Sequence, residues 1–530
     1  MKTVTAHELR RMILDDEELA LLDAREVGTF HDSHIFYASC CALSRLERLA
    51  PRLVPRRSAR VVVCDAGAGE AERAASLLRQ HGYCDVAELE GGIEAWAAAG
   101  YTLVSGVNVP SKAYGEVVEH ELGTPTISAE ELHVMLAAGD DVVILDSRPT
   151  PEFTNFSIPG GVCCPGAELP YRVHDAAPSA DTTVVVNCAG RTRSIIGAQS
   201  IINAGVPNRV VSLRDGTMAW HLAGLELAKG ATEHVGKPSP EGLEKARASA
   251  ARVTERFGVR TIDRATLDRW RSETGERSLF VFDVRTREEY EAGHLPDARW
   301  IAGGQLVQTT DEQIGTLRSR IVLVDDDGVR ATMTASWLVQ MGWCDAVVLE
   351  GGVAGHALET GMPAPPLLDS NEAQVECIAP DALAAALRRG EAEVVDVSLS
   401  RGYRSGHLPA ARHAIRARLG RNLADWPRDR LLAITAHDEA IARLAAADLA
   451  QELDAPVRWL EGGNGGWAAA GFPMTADNPA YLDDPDDVRV RVNEDPRGME
   501  KAMNDYLTWE IGLVDDVARD GTAAWLRTER

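Results

Sequence analysis

The apolar positions of this chain fall into short runs that return in a fixed order. Four runs of mostly β-branched or aromatic residues end on an aspartate: LALLDAR up to Arg25, VVILDSR up to Arg148, LFVFDVR up to Arg285 and VVDVS up to Ser398, with the landmark at Asp23, Asp146, Asp283 and Asp396. Runs this short and this apolar on both faces read as buried parallel strands. Each is followed by a turn, SHI at Ser33, SIPG at Ser157, GHLPDA at Gly293 and GHLPAA at Gly406, and by a second short apolar piece. A third run then closes at VVVC (Cys64), VVVNC (Cys188), IVLVD (Asp325) and LLAIT (Thr435) and leads through a loop into an Ala/Leu-rich helical stretch. The last landmark is Glu-Gly-Gly at Glu90, Glu350 and Glu461, replaced by Arg214-Asp215-Gly216 in the second copy. Trp96, Trp220 and Trp467 follow it, with His356 near that place in the third copy. Counted from Cys64, Cys188, Asp325 and Thr435 to the first position of the Gly-Gly pair, the separations are 27, 27, 26 and 27, which places those four residues at one equivalent site.

A regular alternation of strand, loop, helix and strand specifies βαβ units. The chain is therefore expected to be an α/β protein of four tandem domains, each a small parallel sheet flanked by helices on both faces. The boundaries fall at 1–105, 122–228, 258–365 and 376–475, with a partly helical tail at 476–530. From Pro496 to Asp520 the tail carries Met499, Met503, Tyr506, Leu507 and Leu513 on one face and is expected to dock on the body. The connection from Gly106 to Gly123 is short, whereas that from Lys229 to Phe257 is longer and partly helical, which suggests two pairs of domains.

Composition narrows the function classes. Of the 530 residues, 45% are hydrophobic and 25% charged, and no apolar run approaches the roughly 18 residues of a membrane helix. The opening residues bring in charge early, which leads to the expectation of a cytoplasmic protein without a membrane partner. A net charge of -25 with no Lys/Arg-rich stretch argues against nucleic acid. Nine cysteines and no Cys-x-x-Cys speak against a disulfide framework and a zinc site, so a special cysteine is expected to be a nucleophile. No motif implies a metal or an organic cofactor.

The recurring order LLDAR, SHI, VVVC loop and helix, EGG and Trp resembles the rhodanese family, in all four copies and over nearly the whole chain up to the tail. The resemblance implies a sulfurtransferase, in which a cysteine at the end of the central strand takes a sulfane sulfur from a small anionic donor such as thiosulfate. The resulting persulfide passes its sulfur to a thiophilic acceptor, cyanide or a thiol. Cys188 is the expected nucleophile and Cys64 a possible second one, while Asp325 and Thr435 leave the third and fourth copies without a thiol and silent. A thiolate ahead of a helix N-terminus gains from the local dipole and from unpaired backbone N–H groups. In the second copy the loop Ala189, Gly190, Arg191, Thr192, Arg193 and Ser194 is expected to bind the donor, its amides forming a cradle and its two guanidinium groups orienting a dianion. The first loop, Asp65 to Glu70, offers carboxylates and no arginine. Lys112 is a candidate for adding positive charge.

Two other readings suit the loop less well. A cysteine-dependent phosphatase places its arginine six positions after the cysteine, whereas Arg193 is five after Cys188. A non-catalytic binding scaffold suits the copies without a cysteine better than the whole chain. Cys40-Cys41 and Cys163-Cys164 share one position of the repeat and are expected to point to opposite faces of a strand. Cys84 and Cys344 read as structural, and the Asp-x-Arg pairs as ties between strand end and loop.

Overall fold

The structure is a computed structural model that describes residues 2–368 and 375–525. Four parallel sheets carry the repeats. In the second copy the strands lie in the order Thr126–Ile127, Val210–Leu213, Thr183–Asn187, Val142–Asp146, Val162–Cys163, and the other three copies keep the same order within their own sheets. The central run is buried in each from its second residue on, and over its whole length in the second copy, as its apolar sequence requires. The fold is that of four small α/β units with helices on both faces.

The register of the sheets corrects the alignment of the loops. Asp23 lies opposite Cys64, but Asp146 lies opposite Asn187, Asp283 opposite Val324 and Asp396 opposite Thr435. The residues that match Cys188 are thus Asp65, Asp325 and Ala436, one position beyond. The backbone agrees: the carbonyls of Asp65, Cys188, Asp325 and Ala436 each accept a hydrogen bond from the residue after the second glycine of the last landmark, Ile93, Thr217, Val353 and Asn464. That glycine (Gly92, Gly216, Gly352, Gly463) has a positive φ, and a Cβ on it would collide with the same carbonyl. The Gly-Gly landmark therefore fixes the loop's height over the sheet and has no chemical role of its own. Cys64 sits at the Asn187 position, within the core of the first copy, and not at the place in the loop that Cys188 holds.

The Asp-x-Arg pairs do tie strand end to loop. Arg148 Nε and Nη2 donate to Asp146 at 2.9 and 2.7 Å, and Nη2 also reaches the Phe156 carbonyl at 2.6 Å. Arg25 and Arg285 repeat the arrangement. Cys40 and Cys41 face separate core clusters on the two sides of their sheet. Cys84 and Cys344 are exposed, so neither is a core residue.

The units do not separate into two pairs. Ser239 caps the helix Pro240–Phe257 by accepting from the Gly242 N–H at 3.0 Å, Pro240 opens it and Gly258 closes it with φ 64°. Its small-residue face (Ala246, Ser249, Ala250, Val253) joins Tyr171 and Ala204 of the second copy and Phe280, Phe282 and Ile321 of the third in one apolar core. The third copy also lends Thr316–Leu317 as an antiparallel strand to the first copy's sheet. Arg416 of the fourth copy grips Glu47 of the first with two buried bonds of 2.6 and 2.7 Å. The tail adds Ala480–Tyr481 beside Arg412–His413, so the fourth unit extends past residue 475.

Two segments beyond the repeats matter for the site. The stretch read as a short connection forms a helix, Val109–Leu122, with most of its residues buried. The tail forms the helix Met499–Asp520, closed by Gly521 in the left-handed region. Its buried stripe is Ala502, Leu507, Glu510, Leu513 and Val517, while Met499 stays exposed. The two helices pack against each other.

Candidate active site

Cys188 stands just past the strand Thr183–Asn187, and the helix Thr192–Asn203 begins four residues later. No side chain caps that helix; the Ser194 and Ile195 N–H groups bind the Arg191 carbonyl at 3.1 Å, while those of Thr192 and Arg193 lack an intrahelical acceptor. The Cys188 Sγ donates to Ser194 Oγ at 3.6 Å, and Ser194 Oγ in turn donates to the Arg191 carbonyl at 2.8 Å. Met218 and Thr217 N–H bind the carbonyls of Ala189 and Cys188 at 3.0 and 2.9 Å, holding the loop from behind.

The same loop in the first and third copies is filled from within. Asp65 Oδ1 accepts from Gly67 N–H at 2.8 Å, and its Oδ2 accepts from Gly69 and Ala71 at 2.9 and 3.1 Å. Asp325 likewise accepts from Gly328 and Ala331 at 2.7 and 3.0 Å. A carboxylate stands there where the second copy has a thiol, and it takes the amides itself. In the fourth copy Ala436 offers no polar atom at that place, and Thr435 donates to Asn464 Oδ1 at 2.7 Å.

Cys188 opens on a cavity of about 270 Å³. The loop from Ala189 to Arg193 forms one wall, Glu152 and Met218 of the same copy add to it, and three segments outside the second copy complete the lining. Lys112 comes from the helix Val109–Leu122, Gln305, Gln308 and Glu312 from the third copy, and Arg489, Tyr506 and Glu510 from the tail. Among the outside residues, Lys112 has a signal in the sequence, an isolated cation in a connecting segment, and Glu510 has one as a carboxylate on the buried stripe of the tail helix.

The two arginines of the loop have different fates. Arg191 is neutralised: its guanidinium donates to both oxygens of Glu116 at 2.7 Å, to Asp215 at 2.8 Å and to Glu119. Three carboxylates thus engage four of its five N–H groups, so it is not the free guanidinium that the sequence suggests. Arg193 lines the cavity, paired with Glu152 at 2.8 and 3.0 Å. The positive charge that Arg191 does not supply comes from Lys112 and Arg489.

Burial sets the protonation of these groups. Desolvation pushes the Cys188 thiol up and the Glu510 charge adds to this, while Arg193 and the Ser194 hydrogen bond act against it. Lys112, buried and facing Arg489 and Arg193, is lowered to about 8 in spite of Glu510 and Asp311. Cys64 is raised well above the usual thiol range by burial and by Asp23.

The tail helix closes the site. Cys188 is only 2% exposed. Tyr506, Leu507 and Glu510 lie over Gly190, where a Cβ would come within 3.2 Å of the Tyr506 ring and 3.4 Å of Glu510 Oε2. Thr192 Oγ1 donates to Glu510 Oε1. Lys112 Nζ sits 4.6 Å from the Trp509 ring and 5.2 Å from that of Tyr506, and Trp509 Nε1 donates to Ser105 Oγ at 3.1 Å.

Comparison with known proteins agrees with the architecture. A family model described as a rhodanese-like domain matches residues 5–99, 128–223 and 265–358. A crystal structure of a thiosulfate sulfurtransferase from Pseudomonas aeruginosa is 43% identical, superposes with a TM-score of 0.95 and covers 100% of both chains. A sulfurtransferase of Allochromatium vinosum is 31% identical over 101 residues, 19% of this chain and 92% of that protein. The adenylyltransferase and sulfurtransferase MOCS3-2 of Zea mays is 32% identical over 99 residues, 18% of this chain, so the match spans about a fifth of that protein's length. Among the described residues no helix is long and apolar enough to cross a membrane.

Proposed function

Because the chain belongs to the rhodanese-like family, we propose that it is a sulfurtransferase in which Cys188 takes a sulfane sulfur from a small anionic donor and hands it to a thiophilic acceptor. The observation that carries this reading is the contrast among the four loops: the second has a thiol at the place where Asp65 and Asp325 fill their own cradles. Thiosulfate is the donor that suits the site, a small dianion matched by Arg193, Lys112 and Arg489 around the cavity. The full-length similarity to a thiosulfate sulfurtransferase supports the same choice.

The reaction divides into two displacements. The Cys188 thiolate attacks the outer sulfur of thiosulfate, the Sγ–S bond forms, and the S–S bond of the donor breaks with its electron pair leaving on sulfite. The persulfide then sits above the loop amides from Ala189 to Ser194, which stabilise its negative charge as fixed dipoles. A nucleophilic acceptor, cyanide or a thiol, removes the outer sulfur and returns the electron pair to Cys188. Arg193 holds the donor and opposes the cost of forming a thiolate in a buried site. Arg191 acts at one remove, anchoring the loop to Glu116 and Asp215.

Intact-protein mass spectrometry after incubation with thiosulfate tests the reading. The wild type and Cys64→Ser should gain the mass of one sulfur atom, and Cys188→Ser should gain none. A gain that persists in Cys188→Ser, or a wild type that never gains sulfur from any sulfane donor, refutes it.

A further inference from the structure

Glu510 lies in the buried stripe of the tail helix, 1% exposed, and lines the cavity of Cys188. The other carboxylates of that lining are partnered, Glu152 by Arg193 and Glu312 by Asn108. Glu510 Oε1 is held by Thr192 Oγ1, inside the cysteine loop, while its Oε2 is buried and has no hydrogen-bond partner. That free oxygen is the one that faces Gly190, beside the nucleophile. A buried acceptor left without a donor is costly, by about 1 to 3 kcal/mol, and at a reaction centre such a group is suited to receive a proton from a bound molecule.

Resting on the reading that Cys188 carries a persulfide, we propose that Glu510 is a catalytic residue of the second half-reaction, taking the proton of a thiol acceptor as its sulfur attacks. The acceptor class this selects is a neutral thiol. R–SH gives its proton to Glu510 Oε2, the thiol sulfur bonds to the outer sulfur of the Cys188 persulfide, and the Sγ–S bond breaks with its electron pair returning to Sγ. Glu510 then passes the proton to the transferred sulfur. The balance is R–SH plus Cys188–S–S⁻ giving R–S–SH plus Cys188–S⁻, with no oxidant or reductant required. The groups that face Glu510 across the cavity are Lys112 and Glu116 of the helix Val109–Leu122, Cys188 and Arg193 of the loop, and Arg489 and Tyr506 of the tail.

The test compares two acceptors on full-length protein preloaded with sulfur from thiosulfate. 2-Mercaptoethanol must lose a proton to attack, whereas sulfite above neutral pH does not. In Glu510→Gln the ratio of the single-turnover rate for 2-mercaptoethanol to that for sulfite should fall about 100-fold at pH 7, in line with the usual worth of a positioned base of about 10²–10⁴. The deficit should shrink as pH rises and the free thiol ionises by itself, and Glu510→Asp should recover part of the ratio. An equal loss with both acceptors, or a deficit that does not change with pH, overturns the proposal and leaves Glu510 a structural contact of the tail. If wild-type protein takes no sulfur at all, the reading beneath the proposal fails and the proposal with it; normal loading with an unchanged ratio defeats only the role of Glu510.

Discussion

Asp65 occupies in the first repeat the place that Cys188 occupies in the second, and its carboxylate accepts the N–H groups of Gly67, Gly69 and Ala71. The first loop thus carries its own anion as a fixed part of the fold. Asp65→Ala is expected to leave three amides facing an empty cradle and to lower the stability of the protein by about 2–4 kcal/mol. Thermal unfolding would show this as a lower Tm. Sulfate at high concentration should restore part of the loss, because it can bind the freed amides.

Arg191 and Arg193 should separate by what they damage. Arg191→Met leaves Glu116 and Asp215 without their buried partner and is expected to cost about 3–5 kcal/mol of folding stability. Arg193→Met should instead raise the KM for thiosulfate and slow persulfide formation by about 10-fold or more, with a smaller change in Tm. Kinetics and calorimetry on the same two variants check both halves.

The charge of Lys112 gives donor binding a pH dependence. Its value of about 8 means that the ammonium is present at pH 7 and lost as pH rises past 8. Sulfate, an anion with no sulfur to transfer, should therefore inhibit with a Ki that weakens by about 10-fold between pH 7 and pH 9. In Lys112→Met the Ki should be weaker at pH 7 and flat over the same range. The linked effect on stability has a definite sign. Lys112 is lowered from 10.5 on folding, so between about 8 and 10.5 the unfolded chain binds more protons, and its contribution to stability grows as pH rises through that window.

Trp509 pins the tail helix through Ser105 and Lys112. Trp509→Ala should loosen the cover over Cys188 and raise its rate of alkylation by iodoacetamide at least 10-fold. Cys64, deep in the core of the first unit, should remain unreactive in the same sample. Peptide mapping distinguishes the two.

The landmark runs made the four sheets legible from sequence, because each run is short, apolar and closed by an aspartate. The cysteine loop of the second copy stands out in the sequence, since VVVNC carries its cysteine one position beyond that of VVVC. Asp23 to Cys64 and Asp146 to Asn187 are both 41 positions, while Asp146 to Cys188 is 42. Counting from the Gly-Gly landmark hides the offset, because Cys188 to Gly216 spans 28 positions against 27 from Asp65 to Gly92. Arg191 looked available because sequence shows a charge but not its partners, and Glu116 and Glu119 lie some 75 residues away. The tail residues could be assigned a buried face by periodicity, yet nothing in their spacing says which surface they cover.

The helix Pro240–Phe257 ties the repeat that bears Cys188 to one that bears no nucleophile. Its apolar face belongs to the interiors of both at once, so one core is common to the two repeats beside those that each keeps for itself. A substitution at Phe282 or Ile321, far from any sulfur chemistry, loosens the same interior that supports Tyr171 and Ala204. Volume removed from the third repeat is thus felt in the second, through the helix that both share.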